Sequence, residues 1–222
     1  MNRCKFKKDD YNKSEPSKDA TKYYVIYEGV DKEPNYFEAF NESFLDIKNA
    51  YIHHVLEIDT GVFGSNPSKL KDRAEEFIKN PPKNLKITPQ RDDKFRFILD
   101  IDNHPQNQIE ELKQYCDELP DANLYISNYC FEVWLWSHFK NPDEISSEKS
   151  SELKTELGKL NVGNYPFCFM DINLINLAIS NCEKADLDKT HYYPAVKSSK
   201  VYILINELLS MSYINKTVSI QP

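Results

Sequence analysis

The feature that most constrains the fold is an alternation of short apolar runs with longer amphipathic segments between residues 23 and 127. The runs are rich in β-branched and aromatic residues and are short, which predicts buried strands. The segments between them carry apolar side chains at helical spacing. The predicted strands cover residues 23–29, 51–58, 94–99 and 123–127. Because strands that alternate with helices are typical of a parallel sheet, the sequence predicts an α/β fold with a mostly parallel sheet of about four strands.

Helices are predicted on both sides of this sheet and in the C-terminal part of the chain. They cover a segment from Pro34 to Phe44, residues 67–79, a segment that follows Pro105, and residues 171–182 and 199–210. Residues 130–139, with the sequence CFEVWLWSHF, are too apolar for a surface helix and are expected to be buried. Residues 141–168 are irregular in pattern and predict a small helical insertion. We therefore expect one domain over residues 22–222, preceded by a polar, flexible and basic tail over residues 1–21.

The net charge of −7 is unevenly distributed along the chain. Residues 1–22 hold seven basic and four acidic side chains, a net charge of +3, so the remaining residues carry −10. An acidic body cannot bind nucleic acid through its overall charge, because the phosphate backbone is itself negative. Binding would require local basic groups, a bound cation or a partner protein. The chain has only five glycines and contains neither of the common glycine-rich phosphate-binding motifs.

The five cysteines and the hydropathy pattern indicate the compartment. An odd number of cysteines without C-x-x-C spacing favours free thiols in a reducing environment. No apolar stretch is long enough for a membrane helix, and the polar N-terminus does not resemble a secretory signal. These observations predict a cytoplasmic protein that does not act in a membrane.

Polar side chains follow three of the four predicted strands. Ligands of open α/β sheets bind beyond the carboxyl ends of the strands, so these clusters mark a candidate site. Asp100 and Asp102 point the same way along an extended chain, and two close carboxylates are costly unless a proton or cation lies between them. Oxygen ligands of this kind suit Mg²⁺ or Mn²⁺. The residues of the three clusters are Glu28; Asp100, Asp102 and His104; and Ser127, Asn128 and Glu132.

Structural interpretations of the same residues remain open at this point. An acid at a strand end is often a turn residue, and Asn103 or His104 would serve as a cap of the helix that Pro105 begins. Glu132 would be either a buried acid bonded to backbone amides or a further ligand. Lys197 would be either solvated or close to a phosphate.

The remaining histidines, His53, His54 and His138, read as structural. His138 in particular lies in an apolar stretch and is more typical of a core histidine with satisfied hydrogen bonds than of a catalyst.

Three blocks of the sequence resemble the RloB-like family, bacterial proteins with a Toprim-type fold. YYVIYEGVDKEPNYFEAF resembles a strand that ends in C-E-G-E, followed by a T-E-P-N-Y-F helix. FRFILDIDNHP resembles a D-R-D-D-H-P block, and LYISNYCFEVWLWSHF resembles S-N-P-C-F-E-x-W-L-L-x-H-F. HYYPAVKSSKVYILINELL is similar to the closing turn and last helix of that family. The resemblance covers nearly the whole chain from about residue 22.

The resemblance implies a magnesium site and a role in phage defence. In the Toprim fold a glutamate and a D-x-D pair bind Mg²⁺ (or Mn²⁺), which corresponds to Glu28, Asp100 and Asp102, with Ser127, Asn128 and Glu132 beside them. Members are associated with abortive infection beside an ABC-type ATPase, and related Toprim proteins are metal-dependent nucleases. The implied function is therefore cleavage of RNA, for example tRNA, or of DNA. The implied partners are the nucleic acid, the ATPase and a second copy of the chain.

In that reading each polar side chain has a role. The three carboxylates hold the metal, Glu132 or, as the second choice, Glu28 accepts the proton of the attacking water, and His104 or Lys197 stabilises the developing charge. Ser127, Asn128 and Lys197 contact the substrate.

The chain departs from the family pattern at four positions, and two rival functions follow from the same residues. Val30, Ile101, Asn103 and Tyr129 replace an acid, an arginine, an acid and a proline. These changes are compatible with a Toprim fold kept as a sensor or docking module for the ATPase.

The second rival is a haloacid-dehalogenase-type phosphatase, in which Asp100 would be the nucleophile and Asp102 the acid/base. That motif is expected to have Thr or Val at the position of His104, and it follows the first strand of its domain.

Overall fold

The computed structural model describes residues 17, 19–82, 89–90, 93–101, 104–160 and 163–212. These residues form one five-stranded sheet in the order β2-β1-β3-β4-β5, in which the first four strands are parallel and β5 is antiparallel to β4. The strands are β1 (Thr21–Tyr27), β2 (Ala50–Val55), β3 (Lys94–Asp100), β4 (Ala122–Asn128) and β5 (Ser198–Ser199).

Helices connect these strands and are the main regular elements of the described residues after β4. Two 3-10 turns, Pro142–Glu144 and Phe167–Phe169, lie on either side of the sixth helix. The helices are α1 (Lys32–Phe44), α2 (Glu57–Thr60), α3 (Pro67–Lys79), α4 (Gln106–Glu118), α5 (Glu132–Ser137), α6 (Ser150–Lys159), α7 (Ile172–Ala185) and α8 (Val201–Ser210).

The predicted α/β class and the mostly parallel sheet are confirmed, with two corrections to the strands. The second strand was predicted too long, because the chain leaves the sheet after Val55 and Glu57–Thr60 form the short helix α2. The antiparallel strand β5 was not predicted. It has only two residues, Ser198 and Ser199, and such a strand has no apolar periodicity to detect. Its pairing with Asn128 and Ser127 of β4 depends entirely on the tertiary fold.

Both faces of the sheet are covered, which explains why the strands are almost continuously apolar. Side chains of β1 alternate between the two cores. Tyr23, Val25 and Tyr27 pack with helices α1, α7 and α8, whereas Tyr24 and Ile26 pack with α3 and α4.

The segment over residues 130–139 is buried, as predicted, and its histidine is a core residue. His138 is completely buried; its Nδ1 lies 3.0 Å from the carbonyl oxygen of Trp134, and its Nε2 lies 3.2 Å from the hydroxyl of Tyr36. A neutral imidazole satisfies both contacts by donating from Nδ1 and accepting at Nε2. His53 and His54 lie on β2.

Among the described residues, no helix combines the length and the apolar character needed to cross a bilayer. Most of the predicted tail, including all of residues 1–16, lies outside the described residues.

Candidate active site

The carboxyl ends of the three central strands meet at one edge of the sheet. The backbone N–H of Glu28, directly after β1, donates to the carbonyl oxygen of Ile98 on β3 at 3.0 Å. Asp100, the last residue of β3, lies opposite Ser127 on β4. The parallel register therefore places Glu28, Asp100 and Ser127 side by side, although they are far apart in sequence.

Glu28 links the ends of β1 and β3 through its carboxylate. Its Oε2 accepts a hydrogen bond from the backbone N–H of Asp100 at 2.9 Å, and its Oε1 lies 2.9 Å from Nε2 of His104. The side chains of Glu28 and His104 are both largely buried. His104 therefore contacts the predicted metal ligand instead of capping α4, whose N-cap residue is Pro105 and makes no side-chain hydrogen bond.

Two further carboxylates reach this edge from the first turns of helices. Glu33 is the second residue of α1 and is 6% exposed, and Glu132 is the first residue of α5 and is 2% exposed. The carboxylate of Glu33 packs directly on Gly29, since a Cβ added at Gly29 would lie 2.0 Å from Oε2 of Glu33. Only glycine lets the acid approach the backbone this closely.

The electrostatics of Asp100 and Glu33 show that these carboxyl groups crowd each other. Burial, followed by the charges of Glu33, Glu28 and Glu132, raises the pKa of Asp100 well above its usual range. Burial, together with the charges of Glu132 and Glu28, raises the pKa of Glu33 to about 7. Oδ1 of Asp100 is buried and has no hydrogen-bond partner. A buried carboxylate oxygen without a donor is costly, so its position calls for a proton or a cation.

Sequence reasoning missed several groups around the cluster. Nζ of Lys32 forms an ion pair with Oε1 of Glu132, and the hydroxyl of Tyr165 donates to the carbonyl oxygen of Lys32. Lys154 on α6 is close enough to lower the pKa of Glu33, although burial dominates. Lys154 and Tyr165 therefore reach the site from the region that looked like an insertion. Only Glu33 carried a sequence signal, as an acid in the first turn of the helix that follows Glu28.

Three other predicted site residues make structural contacts. Oγ of Ser127 lies 2.9 Å from Oγ of Ser199 on β5, and Nδ2 of Asn128 donates to the carbonyl oxygen of Pro194 at 3.3 Å. Nζ of Lys197 donates to the carbonyl oxygen of Ile145 at 2.6 Å. In these contacts the three side chains attach the segment before α8 to β4 and to the region after α5.

Asp102 and Asn103 lie outside the described residues, so the structure says nothing of the second acid of the D-x-D pair. Of the other departures from the family pattern, Val30 is 66% exposed, and Ile101 packs against the core between the sheet and α3 and α4. Tyr129 packs against the small core around Trp136.

The donor chemistry of the site fits a hard divalent cation. The acids that the structure brings together are Glu28, Glu33, Asp100 and Glu132, and oxygen ligands of this kind suit Mg²⁺ and Mn²⁺. Within the part of the chain that the structure describes, however, no three His, Cys, Asp or Glu side chains are grouped as a set of metal ligands. The buried, unpartnered Oδ1 of Asp100 is the observation that favours a cation here.

The comparison with protein families tests the family relationship that the sequence blocks indicated. The sequence model of a family described as RloB-like protein matches residues 23–208, from the first strand to the last helix. The chain belongs to the RloB-like family. The carboxyl cluster is thus part of an RloB-like fold, and the match spans every residue of the cluster. A search of curated proteins and a search of solved structures found no match.

Proposed function

We propose that this RloB-like protein is a Mg²⁺- or Mn²⁺-dependent nuclease that cleaves phosphodiester bonds in phage defence. The observation that carries the proposal is Oδ1 of Asp100, which is buried without a hydrogen-bond partner beside the carboxyl groups of Glu28, Glu33 and Glu132. A cation at this oxygen would relieve the repulsion between the acids and satisfy the buried lone pairs.

The side chains of the site would have different roles. Glu28, Asp100 and Asp102 would hold the cation, and His104 would keep the Glu28 carboxylate oriented through its 2.9 Å contact. When bound, the cation supplies polarisation of the phosphodiester and a more acidic water. Glu132 would accept the proton of the attacking water. Lys32, which is paired with Glu132 and nearly half exposed, would stabilise charge on the phosphate oxygens.

The substrate is RNA, with tRNA as the first candidate, or DNA, and an ABC-type ATPase would act as partner. The net charge of −7 supports weak intrinsic affinity for nucleic acid. The partner and the cation would then supply the attraction that the surface lacks.

The test is cleavage of tRNA, single-stranded RNA and duplex DNA in Mg²⁺ or Mn²⁺, with and without the ATPase. We expect Asp100→Asn and Glu28→Gln to lower the cleavage rate by about 100-fold or more. Asp117→Asn, at an exposed acid on α4, is the matched control and should leave the rate unchanged. In the same proteins, Mg²⁺ should raise the Tm of the wild type, because an ion that binds only the folded state stabilises that state. It should not raise the Tm of Asp100→Asn, which lacks one of the proposed metal ligands. Cleavage at the wild-type rate by both site variants would refute the assignment.

A docking or sensor module for the ATPase is the second candidate, and one observation favours it. Both oxygens of Glu28 are engaged within the chain, and Glu132 is paired with Lys32, so much of the cluster is satisfied internally. Titration calorimetry separates the two, since a module that lost catalysis should show no heat of Mg²⁺ or Mn²⁺ binding at millimolar metal.

The phosphatase alternative has less support. Asp100 is the last residue of the third strand along the chain, not of the first, and His104 occupies the position where that motif has Thr or Val. Trapping of a phosphoryl group on Asp100 would support the phosphatase alternative again.

A further inference from the structure

A small cavity lies beside Gly29, next to the carboxyl cluster. Its volume is about 170 Å³, and its apolar lining consists of Val30, Leu56, Ile58 and Phe63. Three of these side chains are unusually exposed for their size: Val30 at 66%, Ile58 at 81% and Phe63 at 66%. Exposed apolar side chains that gather around one cavity mark a binding site more often than isolated ones do.

The cavity also has a fixed polar side. Arg73 is 1% exposed and donates to the carbonyl oxygens of Tyr27 at 2.7 Å and of Gly64 at 2.8 Å. Oε1 of Glu57 accepts from Arg73 at 3.1 Å and from the backbone N–H of Gly64 at 3.0 Å. Nε of Arg73 is buried without a partner. These contacts hold the polar side of the cavity against the end of β1, which makes it preformed.

The position of the cavity relates it to the proposed chemistry. Gly29 lines the cavity and also lies directly against the Glu33 carboxylate, and it follows Glu28 in the chain. The cavity therefore adjoins the carboxyl cluster through Gly29, which is the chain neighbour of Glu28 and packs on Glu33.

We propose that this cavity holds one unpaired nucleobase of a single-stranded nucleic acid, next to the phosphate that the carboxyl cluster acts on. The assignment rests on the proposed nuclease function and adds a substrate feature to it. A volume of 170 Å³ is below the range of about 300–1,000 Å³ typical of ligand pockets, which suits a single ring system and not a larger ligand.

The lining matches the chemistry of a base. Phe63 offers an exposed aromatic face for stacking, and Val30 and Ile58 offer apolar contacts to the ring. The carboxylate of Glu57 would accept from an exocyclic amino group or ring N–H. A protein partner is less well matched, because stable protein interfaces bury on the order of 1,200 Å² or more, far beyond three side chains around a small cavity.

The experiment measures binding separately from cleavage. All proteins carry Glu132→Gln, which replaces the proposed proton acceptor so that bound nucleic acid is not cut and leaves the proposed metal ligands in place, and Mg²⁺ is present throughout. Fluorescence anisotropy compares a short single-stranded RNA, the DNA of the same sequence, and a matched strand in which the bases are replaced by abasic sugars. Phe63→Ala is compared with Leu187→Ala, which removes an apolar side chain that is 86% exposed and does not line the cavity.

We expect the strand with bases to bind about 10-fold or more tightly than the abasic strand, because stacking on an aromatic side chain is worth about 1–3 kcal/mol per base. Phe63→Ala should remove most of this difference, and Leu187→Ala should preserve it. The proposal would be overturned if Phe63→Ala lowered the affinity for both strands equally, if it changed neither affinity, or if neither strand bound. So would a sedimentation result in which Phe63→Ala dissociates a dimer, since the occupant would then be a second copy of the chain.

The two proposals fail in different ways. If Asp100→Asn does not reduce cleavage but the dependence on bases persists, the nuclease assignment fails and the cavity still binds a base. If Asp100→Asn abolishes cleavage and Phe63→Ala has no base-dependent effect, the cavity assignment alone fails.

Discussion

Gly29 shows how a single residue connects the two features at the end of β1. It packs directly on the Glu33 carboxylate and also lines the apolar cavity, and its lack of a side chain allows the close approach of Glu33. At this scale the site depends on small distances between groups that would otherwise repel or collide. Even one added methyl group at Gly29 should therefore displace a carboxyl group of the cluster.

Gly29→Ala should displace the Glu33 carboxylate, because the added methyl group would lie 2.0 Å from Oε2 of Glu33. We expect a loss of about 1–3 kcal/mol in the free energy of unfolding, the usual cost of forcing an extra methyl group into a packed site. Gly158→Ala is the matched control. Gly158 lies in helix α6 with nothing within 4 Å of an added Cβ, so this variant should gain up to about 1 kcal/mol. Urea unfolding of both variants tests this, and a Gly29→Ala protein as stable as wild type would contradict it.

At the scale of elements, α8 is held against the sheet by a partly buried ion pair. Arg96 on β3 is 1% exposed and donates to Glu207 on α8 through Nε at 3.1 Å and through Nη2 at 2.6 Å. Asp121 accepts from the same guanidinium at 2.9 Å. Although burial alone would raise the pKa of Glu207, the hydrogen bonds and charges of Arg96 and Lys94 outweigh it and lower this pKa. The carboxylate of Glu207 therefore stabilises the folded state.

Glu207→Gln should lower the free energy of unfolding at pH 7 by about 2 kcal/mol. A cost of roughly 3–5 kcal/mol is typical when a fully buried ion pair loses one partner. The expected cost is smaller here because the side chain of Glu207 is a quarter exposed and Asp121 still pairs with Arg96. Because the pKa of Glu207 is lowered on folding, its contribution is present above the unfolded pKa and is lost as the pH falls through the folded pKa. The difference in the free energy of unfolding between wild type and variant should therefore disappear at acidic pH. Glu111→Gln, at an exposed position on α4, should show no such difference at any pH.

At the scale of the whole molecule, two histidines with lowered pKa values should govern how global stability responds to mild acid. Burial lowers the pKa of His138 to about 3, and burial together with the charge of His54 lowers the pKa of His53 to about 4. The folded protein keeps both rings neutral, whereas the unfolded chain binds protons below about pH 6.5. Each histidine therefore makes the folded state less stable as the pH falls below that value.

We expect each of these two histidines to remove about 1.4 kcal/mol of stability per pH unit between roughly pH 6 and pH 4.5. His138→Leu should be less stable than wild type at pH 7, because Tyr36 and Trp134 lose their hydrogen-bond partner, but it should have a shallower decline with pH. His191→Gln, at an exposed histidine, should keep the wild-type slope. Comparison with the variants cancels the contribution of carboxyl groups that titrate in the same range. Equal slopes in wild type and His138→Leu, from urea unfolding at several pH values, would show the prediction to be wrong.

The sequence by itself determined the α/β class, the four parallel strands and the edge of the sheet where polar groups gather. These follow from local patterns, because apolar periodicity and strand-end acids such as Glu28 and Asp100 can be read without knowing distant contacts. It also determined the family, since the matching blocks are spread from residue 23 to residue 208.

Only the tertiary structure decided which groups surround those acids. Lys32 and Glu33 lie on α1 and Tyr165 lies before α7, and their approach to Glu132 depends on how α1, α5 and the segment before α7 pack. The two-residue strand β5 and the cavity beside Gly29 have the same origin. No local pattern encodes them, because each exists only where residues distant in sequence meet at one edge of the sheet.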